Sequence, residues 1–241
     1  MSKSTVPFNE QVALVTGGGT GIGRAIAGML LSMGVKVVIA ARRTEVIHRA
    51  AAELNAAYPR ARVYPYAFDV RDEAQAQRLM AWIHESFGRL DILVNNAGLA
   101  DRGGISNLDT ASWERVLETN LRGAMYLMRE ALPGMKTRNH GDIINIVSQA
   151  GRNGYGDVPA YCAAKHGLIG LGRAVDEGLR AEKLNVRVVN LCPSLVDVEN
   201  VGENQLPRAD TMHVRTLAKT VQFCLTLDRN VRLGELDLMA Q

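Results

Sequence analysis

Val12-Ala13-Leu14-Val15-Thr16-Gly17-Gly18-Gly19-Thr20-Gly21-Ile22-Gly23 is the stretch that decides how this chain folds. It opens with four consecutive apolar residues, passes through a glycine-rich turn and enters a segment with helical periodicity. There Ile22, Ile26, Met29, Leu30 and Met33 fall on one face, and Gly34 follows as a stop. A backbone that turns this tightly beside a pyrophosphate needs residues without Cβ. The helix start then offers free N–H groups and the positive end of its dipole. A glycine-rich turn alone says little, but a strand before it and a helix after it favour a nucleotide site. A phosphate loop would need Gly-Lys-Ser/Thr, and Arg24-Ala25 follow Gly23. Kinase or ATPase chemistry is therefore disfavoured.

Outward from this stretch the alternation repeats. Strands are expected at Val12–Val15, Val35–Ala41, Val63–Phe68, Ile92–Val94, Ile143–Val147, Val186–Leu191 and Leu233–Leu238. Most are apolar at consecutive positions, as in strands buried on both faces of a parallel sheet. Helices are expected over Ile22–Met33, Glu45–Ala57, Asp72–Phe87, Ser112–Met135, Pro159–Glu182 and Met212–Leu227. The reading is one α/β domain over residues 1–241, a doubly wound parallel sheet of about seven strands with helices on both faces. The patternless stretch after the sixth strand, residues 194–211, is expected to be a substrate loop.

Composition excludes several classes. Of 241 residues, 47% are hydrophobic and 22% charged, a globular balance. No apolar run is long enough for a membrane span, and Met1–Pro7 lacks the apolar core of a signal peptide, so a cytoplasmic protein is expected. Lys and Arg total 28 against 25 Asp and Glu, with no dense basic run, which argues against nucleic acid as partner. Cys162, Cys192 and Cys224 form neither a zinc-like set nor a disulfide framework, and the five histidines lack ligand spacing, so no metal is expected.

Tyr161 and Lys165 lie four apart in a helical segment and share a face. Protonating a carbonyl oxygen after hydride addition needs a donor that gives up its proton near neutral pH. A tyrosine titrates near ~10, and bringing it to about 7 takes roughly 4 kcal/mol. A cation ~4 Å away at an effective dielectric of ~20 supplies about that much. Ser148 ends a strand-like run, and its hydroxyl can donate to an oxygen that gains negative charge.

The ordered set Thr16–Gly23, Asp69-Val70, Asn95-Asn96-Ala97-Gly98, Asn120, Ser148 and Tyr161-x-x-x-Lys165 resembles the short-chain dehydrogenase/reductase family over nearly the whole chain. The glycine spacing is G-x-x-x-G-x-G, not the G-x-G-x-x-G of longer dehydrogenases. The resemblance implies a Rossmann-type fold and hydride exchange between a nicotinamide cofactor and a carbonyl/alcohol pair. It implies Tyr161 as acid/base, Lys165 lowering its pKa and holding the ribose, Ser148 orienting the carbonyl, and Asn120 bending a helix and supporting a proton relay. It places the cofactor on Gly17, Gly19, Thr20, Gly21, Ile22, Gly23, Asp69, Val70, Asn96, Ala97, Gly98, Tyr161, Lys165, Pro193 and Val196. A cofactor-binding regulator without turnover, and imine, enoyl or epimerising chemistry, are the alternatives. The family's long helices also imply a homodimer or homotetramer.

Two features set this chain apart. Ser194 and Val198 stand where the family usually has Gly and Thr, so a usual contact to the nicotinamide carboxamide is missing. The second strand ends Ala41-Arg42-Arg43, without the carboxylate that selects NAD, and an arginine fork suits a 2′-phosphate. NADP(H) is the expected cofactor, with Arg42 and Arg43 as contacts. The substrate is a small carbonyl or alcohol, and Gln149, Asn153 and Tyr155 are expected at its pocket.

Overall fold

The computed structural model describes residues 6–198 and 210–240. In chain order the strands are β1 (Val12–Thr16), β2 (Lys36–Ala41), β3 (Val63–Ala67), β4 (Ile92–Asn95), β5 (Gly141–Ile146), β6 (Val186–Pro193), β7 (Val196–Asp197), β8 (Met212–His213) and β9 (Glu235–Leu238). Seven of them form one sheet in the order β3-β2-β1-β4-β5-β6-β9, and every neighbouring pair is parallel. This is the doubly wound, Rossmann-type architecture expected from the sequence. The chain winds outward from β1 through β2 to β3, then returns to place β4 on the other side of β1. That reversal opens a crevice beyond the carboxyl ends of β1 and β4.

The helices are α1 (Gly21–Ser32), α2 (Thr44–Ala57), α3 (Glu73–Phe87), α4 (Thr110–Leu117), α5 (Gly123–Arg138), α6 (Pro159–Ala181) and α7 (Val214–Thr226). Strand alternation sorts the core into two layers. Ala13, Val15, Val37 and Ile39 pack with Ile26 of α1, Leu54 of α2 and Val221 of α7. Val12, Leu14, Leu93 and Ile143 pack with Ile83 of α3, Leu127 of α5 and Leu179 of α6. Because both faces are covered, the central strands are apolar at successive positions. β3 contains Pro65, opposite Ile39, and an edge strand tolerates the missing donor.

Two expectations need correction. The helix expected over Ser112–Met135 runs from Thr110 to Arg138, interrupted by a π-helical turn at Glu118–Arg122. Thr119 Oγ1 donates to Arg115 O (2.7 Å) and Asn120 Nδ2 to Val116 O (2.9 Å). Two adjacent side chains thus bond carbonyls one turn back, where the helix is widened. The last helix starts at Val214 because Met212 and His213 pair in parallel with Val196 and Asp197. Of the expected substrate loop, residues 199–209 lie outside the described residues.

Candidate active site

The glycine turn is shaped by contacts that leave no room for Cβ. Gly17 adopts φ +65°, and a Cβ there would stand 2.9 Å from Asn96 Nδ2. A Cβ on Gly23 would stand 2.5 Å from both Asn96 Nδ2 and Gly17 O. The turn therefore packs against the loop after β4, and α1 starts at Gly21 with no side chain capping it. Its first N–H groups face a cleft of about 390 Å³.

Most residues named for the cofactor line this cleft: Gly17, Gly19, Thr20, Gly21, Ile22, Arg42, Arg43, Asp69, Val70, Asn96, Ala97 and Gly98. Gly23, Tyr161, Lys165, Pro193 and Val196 do not. Gly23 is the packing contact just described, Pro193 closes β6 and Val196 pairs with Met212. Val198 lines the cleft instead, with its Cβ 3.4 Å from the place of a Cβ on Gly21. Arg42 and Arg43 are exposed and form no ion pair among the described residues.

Two side chains at the cleft are already engaged. Asn96 Nδ2 donates to Thr16 O (2.8 Å), so its amide braces the β1 loop. Thr16 Oγ1 accepts from the backbone N–H of Asn96 (3.0 Å) and Ala97 (2.9 Å), a brace the sequence reading missed. Its only signal was a hydroxyl at the end of β1. Asp69 is held by Arg71, whose Nη2 donates to Oδ2 (2.7 Å) and whose N–H donates to Oδ1 (3.0 Å). The Arg71 side chain keeps the Asp69 carboxyl below its ordinary pKa, with Arg42 adding to the effect.

Beyond the Gly98 end of the cleft stand the candidate catalytic residues Asn120, Ser148, Tyr161 and Lys165, which do not line it. A Cβ on Gly98 would come within 2.8 Å of Asn120 Oδ1 and 3.7 Å of Lys165 Nζ. Ser148 follows β5, caps the short 3-10 turn Gln149–Gly151 with its hydroxyl accepting from the Ala150 N–H (3.1 Å), and acts on the Tyr161 hydroxyl to lower its pKa. Tyr161 and Lys165 project from the first two turns of α6, and Nζ stands 5.4 Å from the ring centroid. Lys165 is 3% exposed and donates to Ile146 O (2.9 Å). Burial drags its pKa down to about 8. Burial pushes Tyr161 above its ordinary value, and Ser148 pulls it back. The pull expected from Lys165 is not in place here, because the ammonium sits over the ring face, bonded to a strand-end carbonyl. Asn120 Nδ2 also donates to Leu99 O (2.7 Å), while its buried Oδ1 has no partner among the described residues.

Beneath this group runs a polar ladder that sequence reasoning missed. Asn95, Asn145 and Asn190 are in register on β4, β5 and β6 and are 5%, 0% and 1% exposed. Asn95 Nδ2 donates to Asn145 Oδ1 (2.9 Å), and Asn145 Nδ2 donates to Asn190 Oδ1 (2.8 Å). The ladder ties together the three strands whose ends carry Gly98, Ser148 and Pro193. Its signal was an Asn inside the apolar runs of β5 and β6 and another at the end of that of β4. Gln149 is engaged with its neighbours, Nε2 donating to Cys192 O (2.7 Å) and Asp237 Oδ1 (3.2 Å). Asn153 bonds Gln149 O and Oε1 (3.4 and 3.3 Å), and Tyr155 is exposed. Among the described residues no group of His, Cys, Asp and Glu could hold a metal, and no helix is long and apolar enough to cross a membrane.

Comparison with known proteins agrees with this geometry. Levodione reductase of Leifsonia aquatica is 33% identical over 237 residues, 97% of this chain and 86% of that protein. The crystal structure of a metagenomic short-chain oxidoreductase in complex with NADP superposes with a TM-score of 0.85 at 32% identity, covering 98% of this chain and 99% of the other. The closed form of serine dehydrogenase complexed with NADP+ gives 0.83 at 29%, covering 95% and 94%. The short chain dehydrogenase family matches residues 11–208, and with the parallel sheet and the glycine turn this shows that the chain belongs to the short-chain dehydrogenase/reductase family of oxidoreductases.

Proposed function

We propose that this protein is an NADP-dependent oxidoreductase that interconverts a ketone or aldehyde and the matching alcohol. The observation that carries the reading is Tyr161 with buried Lys165 over its ring (5.4 Å) and Ser148 acting on its hydroxyl, beside Gly98 at the end of a glycine-walled cleft. Gly17, Gly19 and the open start of α1 suit a pyrophosphate. Arg42 and Arg43, lining the cleft without a carboxylate ion pair among the described residues, suit a 2′-phosphate. NADP in the related metagenomic enzyme supports that choice. Asp69 and Val70 would flank the adenine, and Tyr161 and Lys165 the nicotinamide ribose.

When bound, NADPH supplies the hydride. The Ser148 and Tyr161 hydroxyls converge so that both can address one substrate oxygen. Ser148 donates a hydrogen bond to that oxygen as negative charge develops, and Tyr161 transfers its proton to it. The Lys165 ammonium, 5.4 Å from the ring centroid and largely dry, would have to turn from the Ile146 carbonyl toward the hydroxyl to stabilise the phenolate left behind. Asn120 fixes the helix bend beside Lys165, and its unpartnered Oδ1 offers a place for a relay water. We place the work in one domain with a substrate loop at 194–211, in a cytoplasmic homodimer or homotetramer.

Loss of NADPH absorbance against a set of carbonyl compounds tests the reading. Turnover should appear with the wild type, and Tyr161→Phe should lower kcat at least ~100-fold with NADPH binding retained. Near-normal turnover by Tyr161→Phe would refute the assigned role.

A further inference from the structure

A second cavity, of about 470 Å³, lies between α1, α2 and the start of α7. Among the described residues it shares no lining residue with the cofactor cleft. Its volume suits a small organic molecule. The space exists because small residues stand where the three helices meet. Ala25 and Gly28 of α1, Ala57 of α2 and Ala218 of α7 line it, and Met29 and Leu54 add apolar surface. Tyr58 lies over Gly28, where a Cβ would stand 3.4 Å from the phenol oxygen. Helix α1 thus serves two cavities: Gly21 and Ile22 of its first turn face the cleft, and the turns that follow face this one.

The polar part of the lining comes mainly from the start of α7. His213 caps that helix, its Nδ1 accepting from the Arg215 N–H (3.0 Å). A ring nitrogen that accepts carries no proton, so the neutral imidazole holds its proton on Nε2. That Nε2–H is buried and has no partner among the described residues, although His213 lines the cavity. A buried donor without an acceptor is costly, and a ligand oxygen placed in the cavity would remove the cost. Lys219, exposed on α7, lines the same space and brings a positive charge to it. Arg24 lines it as well, held by Glu53 (2.5 Å). One buried N–H and one mobile ammonium above an apolar floor match an anion with a hydrocarbon body.

We propose that this cavity is a second ligand site, which takes an organic monocarboxylate with an aliphatic body. The carboxylate accepts from His213 Nε2 and meets the Lys219 ammonium, while the hydrocarbon lies on Ala25, Met29 and Ala57. The site stands apart from the residues assigned to the reaction above, so it holds or fails independently of that reading. Calorimetric titration of octanoate into the full chain, with and without saturating NADPH, tests it. One equivalent should bind with a Kd below ~1 mM. NADPH should change that Kd less than about twofold, as for separate sites. 1-Octanol should bind at least ~10-fold more weakly for want of the charge, and acetate at least ~100-fold for want of the hydrocarbon. His213→Asn keeps an acceptor for the Arg215 N–H but loses the ring donor, and should raise the octanoate Kd at least ~5-fold. Lys219→Glu, at an exposed position, should raise it at least ~5-fold with Tm unchanged. Unchanged octanoate binding in both variants, equal binding of 1-octanol, displacement by NADPH, or no binding below ~10 mM would overturn the proposal. Should His213→Asn melt early, Lys219→Glu decides the variant test alone.

Discussion

The two ends of the sheet treat buried cations in opposite ways. At the amino ends of β5 and β6, Asp142 and Arg187 face each other in register and are 5% and 3% exposed. Arg187 Nε donates to Asp142 Oδ1 (2.7 Å) and Arg229 Nη1 to Asp142 Oδ2 (2.6 Å). The remaining Arg187 donors reach the Leu227 and Cys224 carbonyls (3.2 and 3.3 Å). At the carboxyl end, Lys165 is equally buried but forms no ion pair among the described residues, and one carbonyl holds its ammonium. Arg42 and Arg43, also at that end, have no carboxylate partner among the described residues. A charge neutralised where it lies serves the fold, whereas a charge kept without a counter-ion is available to a ligand or a proton transfer.

The comparison is most easily broken at the amino end. Asp142→Asn leaves two arginines with no charge partner there, and urea unfolding should show a loss of about 3–5 kcal/mol. NADPH affinity of the folded variant should stay within about twofold. A loss under ~1 kcal/mol would mean that this network is not structural.

The next largest effect belongs to the carboxyl end. Wild-type enzyme should prefer NADPH over NADH at least ~10-fold in kcat/KM, and Arg42→Ala should lose most of that preference with little change in stability. Equal use of both cofactors by the wild type would contradict the role given to Arg42.

The smallest effect sharpens the amino-end picture. Burial, aided by Arg229, holds the His140 imidazole below its ordinary pKa. Its folded value lies below the unfolded ~6.5, so the folded state binds fewer protons. The stability it contributes is complete above about 6.5 and is lost as pH falls through the folded value. His140→Gln should make the stability-against-pH curve shallower below pH ~6.5 and leave it unchanged at pH 8. An unchanged acid limb would show that His140 does not carry it.

The sheet was legible because Val12–Val15, Ile92–Val94 and Val186–Leu191 are buried on both faces, and burial of that kind writes itself as unbroken apolar runs. Most of the cleft was legible for a local reason, since a turn with Gly17 and Gly21 at positive φ admits few other residues. The π-turn at Asn120 was not, because it accompanies two side chains bonding the helix's own carbonyls, which no periodicity reports. The Asn95–Asn145–Asn190 ladder joins residues some fifty positions apart, visible only once register is known. The Tyr161–Lys165 spacing was plain, but whether the ammonium meets hydroxyl or ring face depends on the Ile146 carbonyl, which belongs to another element.

The central claim is that Lys165 is kept charged and dry for chemistry, against the preference of the fold. The most direct test is the unfolding free energy of Lys165→Met at pH 7, with turnover of the same sample read alongside. The fall of the Lys165 pKa from 10.5 to about 8 is equivalent to roughly 3 kcal/mol spent on burying the ammonium. The freed Ile146 carbonyl returns about 1 kcal/mol of that. The account predicts a variant more stable than wild type by about 2 kcal/mol, with kcat lower at least ~100-fold. A variant less stable than wild type with turnover retained would contradict it, and would place Lys165 with Arg187 among the charges that serve the fold.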